Sequence, residues 1–335
     1  MSFKKRTSIY ILLRMAKSFR STVRLADGTL HPVVGFGTYK VGYIPASASS
    51  AAADVAKAKR EGKTETAASI VEKAITQAGY RFLDCAQFYG NEAQVGDAIR
   101  ASGVPRSDLF LASKVWCDNI YAGPEAVRAQ VEKTLSELGT DYIDLYMIHW
   151  PVPGKHIAAY KMLEEMQREK KIKSIGLSNY TIEDFEELVA ATDVLPVVNQ
   201  IEINPFLFRR KTIDYFKSKG VVLQAYRALR NGAAFQDPTI VRIATKHGRT
   251  PAQILGRFCV QNDIVYIPKS IRLDRMIENK AVFDFCLDDA DMDDLYALTC
   301  DENLETFRKL YVKCVVRDTP MQGTLESIKT EITLN

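Results

Sequence analysis

"YIDLYMIHWP", residues 142–151, begins as an apolar strand and stops at a histidine, a tryptophan and a proline. A run apolar on both faces suits a strand in a parallel sheet, where crossover helices cover the surface. Helical runs flank it on either side, "PEAVRAQVEKTLSELG" (124–139) before and "AAYKMLEEMQREKK" (158–171) after. The alternation continues outward. Upstream lie the strands "LFLASKVW" (109–116), "RFLDCA" (81–86) and "VVGFG" (33–37), with the helical runs "NEAQVGDAIRASG" (91–103) and "TAASIVEKAITQAGY" (66–80) between them. Downstream lie the strands "IKSIGLSN" (172–179), "PVVNQIEI" (196–203), "VVLQAYRAL" (221–229) and "IVYIPKS" (264–270), again separated by helical runs. Strands that alternate with helices pair in parallel. Eight such units in a chain of 335 residues predict a single (β/α)8 barrel, a fold of α/β class. The competing doubly wound open sheet would carry G-x-G-x-x-G after its first strand; here "GFGTY" (35–39) stands there instead.

Ahead of the barrel, "VRLADGTLHPV" (23–33) sets Asp27-Gly28 between two short extended runs, an N-terminal β-hairpin signal. Residues 45–63 are rich in Ala and Ser and read as a low-complexity surface insertion. The first 24 residues hold seven of the 45 basic side chains and none of the 41 acidic ones, so the remainder is slightly acidic and lacks a nucleic-acid footprint. Residues 1–20 fit a transit peptide by composition, and equally a tail or a start at Met15; the expectation is a cytoplasmic protein with its barrel in residues 21–335. No apolar stretch is long enough to span a membrane. The six cysteines are widely spaced, as expected of free thiols, and with four histidines they suggest no metal site.

Active sites of such barrels sit at the C-terminal strand ends. Here those ends carry Asp84, Lys114, His149, Ser178-Asn179, Gln200, Tyr226 and Lys269-Ser270 in succession. Taken singly, Asp84–Lys114 could be a structural ion pair, Tyr89 a surface residue and His149 a hydrogen-bonded core histidine. Seven successive polar strand ends argue for a site.

From about Leu25 to the region of Arg317 the chain resembles the aldo-keto reductases. The resemblance rests on "GYRFLDCAQFYGNE" (79–92), "LGTDYIDLYMIHWP" (138–151) with "KSIGLSNY" (173–180), and "IPKSIRLDRMIEN" (267–279). It implies reduction of aldehydes or ketones with NADPH, sugar-derived carbonyls among them, by the catalytic tetrad Asp84, Tyr89, Lys114 and His149. Tyr89 would be the proton donor. A tyrosine pKa is ordinarily about 10, and Lys114, held by Asp84, is expected to lower it. His149 would orient the carbonyl oxygen. The resemblance further implies cofactor contacts from Thr38, Tyr39 and Asp84, a carboxamide-holding trio of Ser178, Asn179 and Gln200, and Tyr226 stacked on the nicotinamide with Leu229 in the loop beyond. Lys269, Ser270 and Arg275 would meet the 2′-phosphate, and Glu278 with Asn279 the adenine. Trp116 and Trp150 would line the substrate pocket, though plain packing suits Trp116 as well. The expected partner is a small carbonyl compound, with no nucleic acid, membrane or metal, on a monomer or weak dimer. The alternative function is an NADPH-binding regulatory or scaffold protein on the same fold.

Two departures from the family pattern stand out. "RALRNG" (227–232) replaces a Ser-Pro-Leu-Gly type of loop, so that Arg227 or Arg230 could grip the pyrophosphate or lie exposed. "PVPGKHIA" (151–158) is a short loop that should leave the pocket open.

Overall fold

A computed structural model describes residues 21–42 and 65–323. The basic head, the Ala/Ser run at 45–63 and the last twelve residues, 324–335, lie outside them. Two strands, β1 (Thr22–Arg24) and β2 (Leu30–Pro32), pair antiparallel as the expected hairpin. Its turn places Gly28 at φ 90°, a left-handed conformation that glycine adopts without steric cost, and Asp27 accepts from the Thr29 amide at 2.9 Å.

Eight parallel strands follow in sequence order: β3 (Phe36–Gly37), β4 (Phe82–Asp84), β5 (Phe110–Val115), β6 (Ile143–Ile148), β7 (Ile172–Ser178), β8 (Val198–Glu202), β9 (Val222–Tyr226) and β10 (Val265–Tyr266). The ends of this sheet meet. Tyr266 N–H donates to Val33 O at 2.8 Å, and Gly35 and Gly37 donate to Tyr266 O and Pro268 O at 2.9 Å each. These bonds, with a parallel bridge between Val34 and Tyr266, close the barrel predicted from the alternation. At Gly35 a side chain is excluded, since a Cβ would stand 2.2 Å from the Phe82 ring.

The helices begin and end where local chemistry directs. Thr181, Thr250 and Asp288 form capping boxes with Asp184, Gln253 and Asp291, which satisfy amides that no helical carbonyl can reach. Gly103, Gly139 and Gly248 end their helices in the left-handed conformation.

Alternation along the strands separates two apolar layers. Leu111, Val115, Tyr146, Ile148, Ile175 and Leu177 face outward and belong to one cluster with the helices. Phe82, Phe110, Ala112, Leu145, Met147, Val198 and Val265 fill the barrel interior, joined by Leu25 from the hairpin. The hairpin thus packs against the N-terminal ends of the strands and leaves the C-terminal ends for the site. Ser174 Oγ donates to Asp27 Oδ2 at 2.6 Å and ties hairpin to barrel.

Candidate active site

Period-two alternation decides which side chains reach the barrel axis. On β4 it turns Phe82 and Asp84 the same way, and on β5 Phe110, Ala112 and Lys114. Lys114 is fully buried, and its ammonium donates to Asp84 Oδ1 at 2.8 Å, Cys85 O at 2.9 Å and Tyr89 Oη at 3.3 Å. The five-residue step from Asp84 to Tyr89 has a conformational cause. A 3-10 turn at Gln87–Tyr89 follows β4 and is closed by Gly90 at φ 66°, folding the tyrosine back over the lysine. His149 follows the last residue of β6. Its amide donates to Val115 O at 3.2 Å and its carbonyl accepts from Asn179 Nδ2 at 3.0 Å. The His149 ring lies 6.0 Å from that of Tyr89. All four tetrad residues are therefore brought together.

The expected downward shift of the Tyr89 pKa is corrected by this geometry. Burial, and then the Asp84 carboxylate, push the phenol well above its usual value. Lys114 is closer to Asp84 than to Tyr89, so its charge is matched by the carboxylate. Tyr89 accordingly holds its proton firmly in this state. Burial and the nearby Lys114 drive His149 well below its usual value, so the imidazole is neutral. Cys85, completely buried beside the tetrad, has its thiol pushed up by burial and behaves as a small apolar residue. All six cysteines are free.

The residues expected to hold a cofactor line one arc of the same rim. Ser178 Oγ donates to Gln200 O at 2.9 Å. Asn179, at φ 63°, directs Nδ2 to His149 O and to Ser178 Oγ, while its Oδ1 accepts from Tyr226 at 2.7 Å. The Tyr226 hydroxyl is thus anchored to the trio. Gln200 is buried and donates to Asp84 Oδ1 at 2.8 Å. Thr38 is buried and its hydroxyl donates to Asp84 O at 2.9 Å, while the Tyr39 ring lies 5.1 Å from that of Tyr89. Leu229 is half-buried against the outer core.

Farther round, Ser270 Oγ accepts from the Arg272 amide at 3.1 Å, at the entrance to the helix Leu273–Lys280. Arg275 is exposed and forms no ion pair among the described residues. Lys269 is exposed as a residue, yet desolvation of its ammonium and then the like charge of Lys40 lower its pKa. Glu278 accepts from the Thr250 hydroxyl, and Asn279 is buried. Neither arginine of "RALRNG" is a free grip. Arg227 pairs with Glu202 at 3.2 Å, and Arg230 donates to Asn303 at 3.1 Å.

Trp116 stands edge-on to His149 with ring centroids 4.8 Å apart. Phe88, unmarked in the sequence reading, stacks on Trp116 at 4.0 Å. Asp318 was also missed; it accepts from Trp116 Nε1 at 2.8 Å, and Arg317 lies over the Phe88 ring. The C-terminal segment thus reaches the Trp116 and Phe88 rings beside the site. Trp150 packs edge-on against Tyr311 of the C-terminal helix, 5.7 Å between centroids.

Behind the tetrad, Glu92 is buried and accepts from Ser113 at 2.5 Å and from Thr134 at 3.0 Å. Burial raises its pKa from 4.5 to about 7 against the opposing pull of those hydroxyls. The folded state therefore favours the protonated acid. That contribution to stability is full below pH 4.5 and is lost as pH rises to about 7. We expect urea unfolding of the wild type to show this decline, on the order of 3 kcal/mol, and Glu92→Gln to lack it. Parallel pH profiles for the two proteins would contradict this assignment.

The sequence pattern of the Aldo/keto reductase family matches residues 35–299. Glyoxal reductase of Bacillus subtilis (strain 168) is 38% identical over 290 residues, covering 87% of this chain and 97% of that protein. The aldose reductase of Schistosoma japonicum superposes with a TM-score of 0.73 at 32% identity, covering 84% of this chain and 93% of that one. A Gox0644 variant solved in complex with NADPH gives 0.73 at 31% identity, covering 84% and 95%.

Proposed function

Since the chain belongs to the aldo/keto reductase family, we propose that it reduces small aldehydes or ketones to alcohols with NADPH, Tyr89 giving the proton. The observation that carries this reading is the buried contact series from Asp84 through Lys114 to the Tyr89 hydroxyl, at 2.8 and 3.3 Å, beside a neutral His149. NADPH, when bound, supplies the hydride. Lys114 offsets the negative charge that develops on the Tyr89 oxygen as the proton leaves, and Asp84 holds the ammonium in place. His149 offers a ring N–H to the substrate oxygen, and its neutrality leaves the ammonium as the positive charge next to Tyr89. Trp116 and Phe88 wall the approach, and Asp318 holds the Trp116 indole in place. Two relatives are named for short carbonyl compounds, a glyoxal reductase and, from Salmonella typhi, a methylglyoxal reductase, and a third is a morphine 6-dehydrogenase from Pseudomonas putida. Steady consumption of NADPH by the purified chain over glyoxals, aldoses and uronates tests the reading. Binding without turnover on every substrate would favour a regulatory protein.

The donor set at the end of β10 suits a 2′-phosphate. Arg275 has no ion pair among the described residues, and Lys269 and Lys40 crowd one another; a dianion between such groups would relieve that repulsion. A charge-assisted hydrogen bond is worth roughly 1.5–3 kcal/mol. Arg275→Met is therefore expected to weaken NADPH by about 10- to 100-fold and leave NADH nearly unchanged, as read by fluorescence titration. Equal weakening of both would remove Arg275 from the phosphate site.

A further inference from the structure

A line of polar side chains runs down the barrel interior, beneath the tetrad, to the N-terminal hairpin. Gln200 Nε2 donates to Asp84 Oδ1 and to Gln224 Oε1, both at 2.8 Å. Gln224 Nε2 lies 2.8 Å from His31 Nε2, and His31 Nδ1 lies 2.6 Å from Pro32 O. Gln200 and Gln224 are register partners on β8 and β9. His31 comes from β2, where its ring is wedged against Phe82 and Phe110, with centroids 4.7 and 4.3 Å away. His31 and Gln224 are completely buried and Gln200 nearly so.

The two ends of this line accept only, which leaves one arrangement of protons. The Pro32 carbonyl cannot donate, so His31 carries its proton on Nδ1. Burial lowers the His31 pKa to about 4, so the ring is neutral and Nε2 is an acceptor. Gln224 must then point its NH2 at His31 and its oxygen at Gln200. From the other end, the Asp84 carboxylate requires the NH2 of Gln200. Both N–H bonds of Gln200 are thereby committed, and its Oε1 receives no donor among the described residues. An amide can turn end for end with little change of shape; here both anchors select the same orientation.

We propose that His31 and Gln224 are positioning residues that lock the Gln200 amide so that its oxygen, and not its NH2, is offered to the nicotinamide carboxamide. This rests on the proposed NADPH-dependent reduction and on the carboxamide-holding role that the family resemblance implies for Gln200 beside Ser178 and Asn179. It adds that the hairpin at the far end of the barrel, together with Asp84, sets the polarity of that contact. An oxygen there accepts from the carboxamide NH2. A turned Gln200 would set NH2 against NH2.

The probe is reduced 3-acetylpyridine adenine dinucleotide phosphate, which has a methyl ketone in place of the carboxamide and so no N–H to donate. Wild-type protein is expected to bind NADPH about 2- to 10-fold more tightly than this analogue, the range of one neutral hydrogen bond. Gln224→Met and His31→Leu each remove one of the two anchors and leave Asp84, so the preference should fall measurably below the wild-type value without vanishing. His31→Gln keeps an acceptor for Gln224 and should retain it. A loss of packing alone would weaken both cofactors together and leave their ratio unchanged. Variants that keep the wild-type ratio overturn the lock, while a wild type that binds both cofactors equally overturns the Gln200 contact itself. Should the variants not fold, the ring nitrogens of nitrogen-15 histidine-labelled wild-type protein decide the matter: a His31 proton on Nδ1 is required, and one on Nε2 overturns the proposal.

Discussion

Tyr89→Phe should lower carbonyl reduction by about 10²–10⁴-fold, the usual cost of a lost acid–base group, while NADPH affinity stays close to wild type. The substitution keeps the ring, whose neighbours are Tyr39 at 5.1 Å and His149 at 6.0 Å, and removes the oxygen that lies 3.3 Å from Lys114. Fold and pocket shape should persist. The loss should fall on kcat, because the proton moves only as the carbonyl becomes an alcohol. Steady-state rates with a cofactor titration on the same preparation would check this. Turnover within a few-fold of wild type would exclude Tyr89 as the proton donor.

Lys114→Met should be as damaging to the rate and worse for stability. The ammonium is completely buried and bonded to Asp84, which is itself buried. Removing one partner of a buried pair leaves the other charge uncompensated, at a cost of about 3–5 kcal/mol. The carboxylate would keep the Gln200 N–H and little else. Tyr89 would lose the positive charge that stabilises its oxygen as the proton departs, so reduction should again fall by about 10²–10⁴-fold. The double variant Lys114→Met with Asp84→Asn separates the two effects. It removes both charges, so most of the stability should return while the rate stays low. Recovery of the rate with stability would make the pair structural. A single variant as stable as wild type would mean that Asp84 finds another partner.

The barrel and the tetrad were legible because both depend on short-range pattern. Apolar strands alternating with capped helices identify the fold, and the polar residue closing each strand marks the rim. Asp84 and Tyr89 sit five apart across one 3-10 turn, and Lys114 and His149 end neighbouring strands. What escaped depends on contacts across long separations or on the balance of opposing charges. Asp318 reaches Trp116 across 202 residues, and Gln224 reaches His31 across 193, with no local signal at either end. Phe88 lay beside Tyr89 in sequence, and only the turn shows that it faces Trp116. The direction of the Tyr89 shift was misjudged because the sequence does not show that Lys114 is matched by Asp84 at the shorter distance. The sequence left Arg227 and Arg230 as either a grip on the pyrophosphate or exposed side chains; Arg227 is exposed and pairs with Glu202, and Arg230 donates to Asn303.

The most direct test of the central claim follows the transferred hydride. The full chain would be given an aldehyde and NADPH carrying deuterium on the transferable position of the nicotinamide, in ordinary water. If hydride comes from the cofactor, each NADPH consumed yields one alcohol with deuterium on its carbinol carbon, over many turnovers. Cofactor that stays bound and reduced beside unchanged aldehyde, or an alcohol without the label, would contradict the account.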